Sequence, residues 1–141
     1  MKAAIYKKYG SPDVVQITEL SKPVPADDEM LIRMYFSTVN RTDTGFRSAE
    51  YFISRFWSGL FVPKYQVLGC EFAGIVESTG SNSSSFKVGD AVFGFNDQRF
   101  GGHAEYMLAK ETDSMAKVPE GISLETAAAI AEGAHYALGN I

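Results

Sequence analysis

The sequence predicts a mainly β domain with short helices, built around a small barrel. The first observation is the stretch 67–95, in which two runs rich in β-branched and aromatic residues flank the polar turn 81–85, as in a β-hairpin. The second is the apolar–polar alternation over residues 30–40, which has the period of a half-buried strand. The third is the length, because 141 residues are enough for one domain with a hydrophobic core.

The first part of the chain consists of predicted strands joined by turns. Residues 3–6 form the first strand, a turn follows at 10–13, and a second extended run covers residues 14–20. Pro23 and Pro25 cannot stand in a central strand, so they mark a connector. In the strand 30–40 alternate side chains share a face, and one face is in the core: the two sets are Leu31, Arg33 and Tyr35, and Met30, Ile32, Met34 and Phe36.

Residues 39–65 interrupt the strand pattern. Thr42 or Asp43 is predicted to cap a short helix, since their side-chain oxygens accept hydrogen bonds from the N–H groups of a first helical turn. The segment 48–65 is irregular and rich in aromatic residues. A long irregular segment of this kind is either a functional loop or a mobile flap that packs on a partner domain, and the residues leave both readings open.

The last part of the chain predicts one more strand and a helix. Residues 103–108 form the strand. Ser123 is the predicted N-cap of a helix that starts at Leu124, and Glu125 in its first turn suits the positive end of the helix dipole. A second helical turn is expected at 134–138. The chain then stops without a turn or capping signal, from which we expect a truncated domain.

Composition excludes several classes of protein. No apolar run approaches the ~20 residues that a membrane span needs. A net charge of −4 without a basic cluster argues against nucleic acid as a partner. The single cysteine, Cys70, excludes an internal disulfide and fits a reducing cytoplasm.

Five motifs occur in the order and spacing of one protein family. They are V-N-R-T-D at 39–43, P-K-Y-Q-V-L-G-C-E-F-A-G-I-V at 63–76, F-K-V-G-D-A-V-F-G at 86–94, G-G-H-A-E-Y at 101–106 and V-P-E-G-I-S-L-E-T-A-A-A-I at 118–130. On these motifs the chain resembles the N-terminal, GroES-like catalytic domain of medium-chain dehydrogenases/reductases. It looks closest to the zinc-free quinone oxidoreductase branch, and the resemblance runs from about Lys2 to Leu138.

The resemblance implies a GroES-like fold, a strongly bent and partly open β-barrel with short helices. Residues 1–141 would be this catalytic domain, truncated. A Rossmann nucleotide-binding domain is expected downstream, and no G-x-G-x-x-G fingerprint occurs within the 141 residues. NADP(H) is the cofactor we expect, bound mainly by that second domain.

The resemblance also argues against zinc. Zinc-dependent members carry a cysteine three residues before the aspartate of T-D and a histidine before the glutamate of G-H-E. Those positions hold Asn40 and Cys70 here. An asparagine amide is a poor zinc ligand beside thiolate or imidazole, and a single cysteine cannot make a three-ligand site. We therefore expect no metal ligands in this chain, and Cys70 is expected to be a small buried residue.

Site residues follow from motif position in the resembled family. Tyr51 is expected to donate a hydrogen bond or a proton to the substrate. Asn40 would lie near the nicotinamide and the substrate oxygen, with both a catalytic and a cofactor-binding role. Phe52, Phe56 and Trp57 would form an apolar wall for a flat substrate. Asp43 and Glu71 are expected to be structural, and Arg47 is expected to pair with one of them.

The resulting hypothesis is a cytoplasmic, NAD(P)H-dependent, zinc-free oxidoreductase that transfers hydride to a quinone or an activated alkene or carbonyl. The 141 residues alone are expected to be inactive. The partner is a small apolar carbonyl or quinone substrate, with no nucleic acid and no membrane, and the resemblance allows a homodimer. The alternatives are a stand-alone GroES-like module acting in binding or assembly, and a relative of the zinc-type alcohol dehydrogenases.

Overall fold

A computed structural model describes residues 1–50 and 52–139 of the chain, and Ser54 without its side chain. Seven strands and three α-helices follow one another along it. In chain order they are β1 (Lys2–Tyr6), β2 (Val15–Glu19), β3 (Glu29–Ser37), α1 (Arg41–Ser48), α2 (Arg55–Ser58), β4 (Glu71–Thr79), β5 (Ala91–Phe95), β6 (Tyr106–Lys110), β7 (Met115–Lys117) and α3 (Leu124–Gly139). Short 3-10 helices stand at Pro12–Val14 and Phe52–Ser54.

The strands form two antiparallel sheets. β1 and β2 make a two-stranded ribbon, and the other five strands make a sheet in the order β6-β3-β4-β5-β7. Isolated bridges from Ala3 to Ala104 and from Ile5 to Val67 join the ribbon to the segments beside the large sheet. The sheets stay open along the described chain and do not close into a barrel. The predicted fold class, mainly β with short helices around a partly open barrel, is confirmed, with α3 longer than expected.

The predicted central hairpin is present. β4 and β5 pair from Glu71 opposite Phe95 to Ile75 opposite Ala91. Beneath them the main core cluster is fully buried and apolar: Met30, Ile32, Phe72, Val76, Val92, Met107 and Ala109. A second cluster around Tyr6, Cys70, Phe95 and Phe100 packs between β1, β5 and α3. Burial of these side chains supplies most of the favourable free energy of folding.

The strict alternation predicted for 30–40 is wrong beyond Met34. The pairing of β3 with β4 shifts register between Met34 and Phe36, and the extra residue of such a bulge reverses the face of the side chains that follow. Phe36 is 41% exposed although it was assigned to the face of Met30 and Ile32. The strand ends at Ser37, so Thr38 to Asn40 form the turn into α1.

Several boundaries also differ from prediction. The strand expected at 103–108 runs from Tyr106 to Lys110, because residues 103–105 pair instead with β1 and β3 through single hydrogen bonds. β7 was not predicted from the sequence. Ser123 caps α3 as expected, with its hydroxyl oxygen accepting from the N–H of Thr126 at 3.1 Å. α3 continues unbroken through the second turn expected at 134–138.

Candidate functional site

The turn before α1 places Asn40 at the N-cap of that helix. The Oδ1 atom of Asn40 accepts from the backbone N–H of Asp43 at 3.1 Å, and Oδ2 of Asp43 accepts from the backbone N–H of Asn40 at 3.3 Å. This reciprocal pair is a capping box, and it satisfies two N–H groups that a helix start leaves free. The expected cap at Thr42 or Asp43 is therefore wrong, since Asn40 is the cap and Asp43 is its partner.

The amide nitrogen of Asn40 donates to two acceptors, one on the first residue of β4 and one on the residue that precedes that strand. Nδ2 donates to Sγ of Cys70 at 3.1 Å and to Oε2 of Glu71 at 3.3 Å. These contacts fix the orientation of the amide, because a flip would set its oxygen against a carboxylate and its NH₂ against a backbone N–H. Both polar atoms of the Asn40 side chain are thus hydrogen-bonded to other residues of the chain.

Glu71 is a buried carboxylate at the start of β4. Besides Asn40, its Oε2 accepts from the hydroxyl of Thr38, and its Oε1 accepts from the backbone N–H of Glu132 in α3 at 2.6 Å. Its own carbonyl accepts from the hydroxyl of Ser37 at 2.7 Å. A buried carboxylate is tolerated only when donors surround it, and Glu71 has three kinds: hydroxyl, amide and backbone N–H.

Thr42 and Glu132 join α1 to α3 beside this carboxylate. The hydroxyl of Thr42 donates to Oε1 of Glu132 at 2.6 Å, across 90 residues of sequence. Neither Glu132 nor Thr38 was singled out as a site residue from the sequence. In the sequence, Glu132 is a charged residue among the small residues of the predicted helix. That pattern does not by itself indicate a hydrogen-bond partner.

Cys70 is fully buried between Asn40 and the second core cluster. Burial raises the pKa of its thiol to about 12, although the hydrogen bond from Asn40 acts in the opposite direction. Nearby carboxylates of Asp43, Glu132 and Glu71 raise it further. Cys70 is therefore a neutral thiol at physiological pH, as expected for a small buried residue.

Asp43 and His103 extend the polar network toward β1. Oδ1 of the buried Asp43 accepts from the N–H of Gly69 at 2.9 Å, and Oδ2 lies 3.8 Å from Nε2 of His103. The same Nε2 lies 2.7 Å from the carbonyl oxygen of Thr38. Because a carbonyl oxygen only accepts, Nε2 carries the proton. His103 thus holds the turn that leads to Asn40, a contact that the sequence did not indicate.

The aromatic residues predicted to form an apolar wall lie in the segment 52–57, outside this network. Tyr51 is outside the described residues. Phe52, Phe56 and Trp57 are exposed, and the first two contact edge to face with their ring centroids 5.9 Å apart. The expected pairing of Arg47 with Asp43 or Glu71 is wrong, because its guanidinium donates to the carbonyl of Gly10.

A cavity of about 670 Å³ lies between the ribbon and the end of β3. Apolar side chains form most of its wall, among them Val15 and Ile17 of the ribbon, Phe36 of β3 and Val39 of the turn after it. Asp43 and His103 also line it. The predicted wall residues Phe52, Phe56 and Trp57 do not line it. Their place in a substrate pocket stays a prediction.

Across residues 1–50 and 52–139, no group of three or more His, Cys, Asp and Glu side chains is arranged to hold a metal ion. At the Asn40 turn the side chains present are an amide, two threonine hydroxyls, a neutral thiol and carboxylates that already accept hydrogen bonds. In this set the donors are the amide and the two hydroxyls, and each of them donates within the network.

Comparison with known proteins places this geometry in a family. The model of the alcohol dehydrogenase GroES-like domain matches residues 26–120, which is more than half of the chain. The chain belongs to this family. The matched residues include the Asn40 turn, Glu71 and both strands of the central hairpin, so the predicted resemblance to GroES-like catalytic domains is confirmed.

Relatives and solved structures within the family agree with the predicted branch. Human quinone oxidoreductase is 34% identical over 131 residues, which are 92% of this chain and 37% of that protein. The structure of the quinone oxidoreductase from Coxiella burnetii superposes with a TM-score of 0.84 at 26% identity, covering 99% of this chain and 43% of that one. The quinone oxidoreductase of Escherichia coli, solved in complex with NADPH, superposes with a TM-score of 0.75 at 29% identity, over 92% and 36% of the two chains.

The GroES-like domain described here thus spans a little over a third of the length of the curated relative. It is similar to the catalytic domain of quinone oxidoreductases of the medium-chain dehydrogenase/reductase family. Among the helices of the described residues, none has the length and apolar character to cross a membrane.

Proposed function

We propose that these 141 residues are the catalytic domain of a cytoplasmic, zinc-free reductase that uses NAD(P)H to reduce a quinone or an activated alkene or carbonyl. The proposal is supported by the relatives, which are quinone oxidoreductases, one of them solved with NADPH. The observation that carries it is the oriented amide of Asn40, at the position where zinc-dependent members of the family have a metal ligand.

The Asn40 amide is suited to stabilise negative charge on a substrate oxygen. When hydride reaches the electron-poor carbon of a quinone or enone, charge builds on oxygen, and a fixed donor lowers the free energy of that transition state. Of the two acceptors that face Nδ2, the sulfur of Cys70 is the weaker. A substrate oxygen that replaces this sulfur gains a stronger hydrogen bond while Glu71 keeps the amide oriented.

The other parts of the site are assigned from their positions in the chain. Tyr51 is the proposed second donor, and Phe52, Phe56 and Trp57 are the proposed wall for a flat apolar substrate. The exposed rings of Phe52, Phe56 and Trp57 are available for such contact. A bound nicotinamide would supply the hydride, and the residues of this chain would orient the acceptor and exclude water from it.

The test is NAD(P)H oxidation with a series of quinones and enones. The protein assayed is the longer one that the proposal requires, in which these 141 residues are joined to a nucleotide-binding domain. Asn40→Ser is the informative variant, because serine still caps α1 but has no amide. We expect it to lower kcat/KM by roughly 10²–10³-fold, the cost of losing one preorganised donor. Tyr51→Phe is expected to lower turnover with little change in cofactor binding. Tyr106→Phe, at a tyrosine on β6 that does not line the 670 Å³ cavity, is the matched control.

Three outcomes would contradict the proposal. Absence of NAD(P)H oxidation with every acceptor would leave the binding or assembly module as the better hypothesis. Stoichiometric zinc in the purified protein would indicate the zinc-type alcohol dehydrogenases instead. Full activity in Asn40→Ser or in Tyr51→Phe would remove the corresponding residue from the mechanism.

A further inference from the structure

Glu132 makes two hydrogen bonds to residues beside the turn that presents Asn40, one to Glu71 in β4 and one to Thr42 in α1. Its backbone N–H donates to Oε1 of Glu71 at 2.6 Å, and its side-chain Oε1 accepts from the hydroxyl of Thr42 at 2.6 Å. Glu71 in turn accepts from the Asn40 amide at 3.3 Å, and Thr42 stands in the first turn of the helix that Asn40 caps. Glu132 therefore contacts the carboxylate that accepts from Asn40 and a residue of the helix that Asn40 caps.

From these contacts we propose that Glu132 is a positioning residue, which sets the orientation of the Asn40 amide through Glu71 and Thr42. The inference rests on the proposed function only for its effect on catalysis. Its structural part, that a change at Glu132 moves Asn40, stands on the hydrogen bonds alone.

The geometry explains why a carboxylate is suited to this position. The side-chain Oε1 of Glu132 accepts from the Thr42 hydroxyl and so links α1 to α3. The backbone N–H, which any residue except proline would supply, donates to Oε1 of Glu71, whose Oε2 accepts from the Asn40 amide. Glu71 is buried, and its position is set by its hydrogen bonds from Thr38, Asn40 and Glu132. A displacement of the α3 backbone at Glu132 is thereby passed to the atom that orients Nδ2 of Asn40.

The first measurement is the side-chain ¹⁵N–¹H signal of Asn40 in the 141-residue chain, assigned by its loss in Asn40→Ser. Glu132→Ala is expected to shift this signal, and Glu132→Gln to restore it, because glutamine keeps an acceptor for Thr42. Thr42→Val is expected to shift the signal as Glu132→Ala does, and the double variant to add little to either single one, as for two residues that act as a unit. Glu125→Ala, an exposed glutamate on the same helix, is the matched control.

The second measurement is kinetics of the longer protein. Glu132→Ala is expected to lower kcat by roughly tenfold to a hundredfold with KM nearly unchanged, the usual consequence of a misplaced catalytic group, and Glu132→Gln to recover most of it. Unshifted Asn40 signals in a folded Glu132→Ala chain would overturn the inference, as would a glutamine variant as impaired as the alanine variant. Shifted signals in a protein without reductase activity would support the positioning role and contradict the proposed function.

Discussion

At the scale of single residues, the thiol of Cys70 has the environment with the clearest chemical consequence. Burial raises its pKa to about 12 from an ordinary value of 9.0, so at pH 8 its thiolate fraction is lower by roughly a thousandfold. We expect iodoacetamide to alkylate the folded chain at pH 8 much more slowly than the unfolded chain, because the buried sulfur is both less ionised and inaccessible to the reagent. The reaction is followed by mass spectrometry, and Cys70 is the one cysteine of the sequence. Equal rates in the folded and unfolded chains would contradict the assigned environment.

The residues of the site were predictable to different degrees. Asn40, Asp43 and Glu71, which the structure brings together, were singled out because they occupy motif positions of the resembled family. Their structural partners were not, since Thr42 and Glu132 meet across 90 residues and His103 reaches the carbonyl of Thr38 across 65. A hydrogen bond between distant residues depends on tertiary packing, and local sequence patterns carry no record of it.

At the scale of elements, the pairing of β3 with β4 depends on the absence of a side chain at Gly74. A Cβ atom there would clash with the carbonyl oxygen of Arg33 and lie 2.8 Å from Cγ2 of Ile32. Gly74→Ala is therefore expected to lower the free energy of unfolding by about 1–3 kcal/mol, as strained overpacking does in a core. Urea denaturation followed by circular dichroism measures it.

Gly45 in α1 provides the matched control. A Cβ atom built on Gly45 has no heavy atom within 4 Å, and its backbone is helical. Gly45→Ala is expected to raise the free energy of unfolding by about 0.5–1 kcal/mol, because alanine restricts the unfolded chain more than glycine does. If Gly74→Ala left the free energy of unfolding unchanged or raised it, as Gly45→Ala is expected to do, the close approach of β3 and β4 would be wrong.

Among the elements, the long regular ones followed from sequence and the irregular ones did not. The alternation of β3 predicts the buried face of Met30 and Ile32. It does not predict the burial of Leu31 or the two shifts in the register with β4, between Leu31 and Ile32 and between Met34 and Phe36. A bulge is set by how two strands pair, and neither strand reveals it alone. β7 spans three residues, Met115–Lys117, which is too short for a periodic pattern. The helix after Ser123 was predictable because its cap and its alanines are adjacent in sequence.

At the scale of the whole molecule, the segment 52–62 exposes a set of large apolar side chains to solvent: Phe52, Ile53, Phe56, Trp57, Phe61 and Val62. An exposed apolar patch of this kind favours association, since burying one such side chain stabilises a complex by about 1.5–3 kcal/mol. We expect the 141-residue chain to self-associate as its concentration rises, as measured by sedimentation velocity. Phe61→Ser, at a side chain that is 86% exposed, is expected to weaken the association without lowering stability.

Val24→Ser is the matched control for this experiment. Val24 is 84% exposed but lies in the connector between β2 and β3, away from the segment 52–62 in sequence. It is expected to leave self-association unchanged. A chain that stays monomeric at all concentrations, or that responds equally to both substitutions, would show that the segment is not an associating surface.

The connection between β1 and the segment before β6 has a consequence for biosynthesis. The N–H of Lys2 donates to the carboxylate of Glu105, and the N–H of Glu105 donates to the carbonyl of Lys2, so the first strand is held by residues that leave the ribosome 103 positions later. At about 5–20 residues per second this delay is roughly 5–20 s. During that time β1 can pair with β2, and Ile5 and Tyr6 can pair with residues 66–67 once these have emerged. The contacts of β1 with residues 103–105 are the last of these to form, so the N-terminal end of β1 stays unpaired on that side until most of the chain has been made.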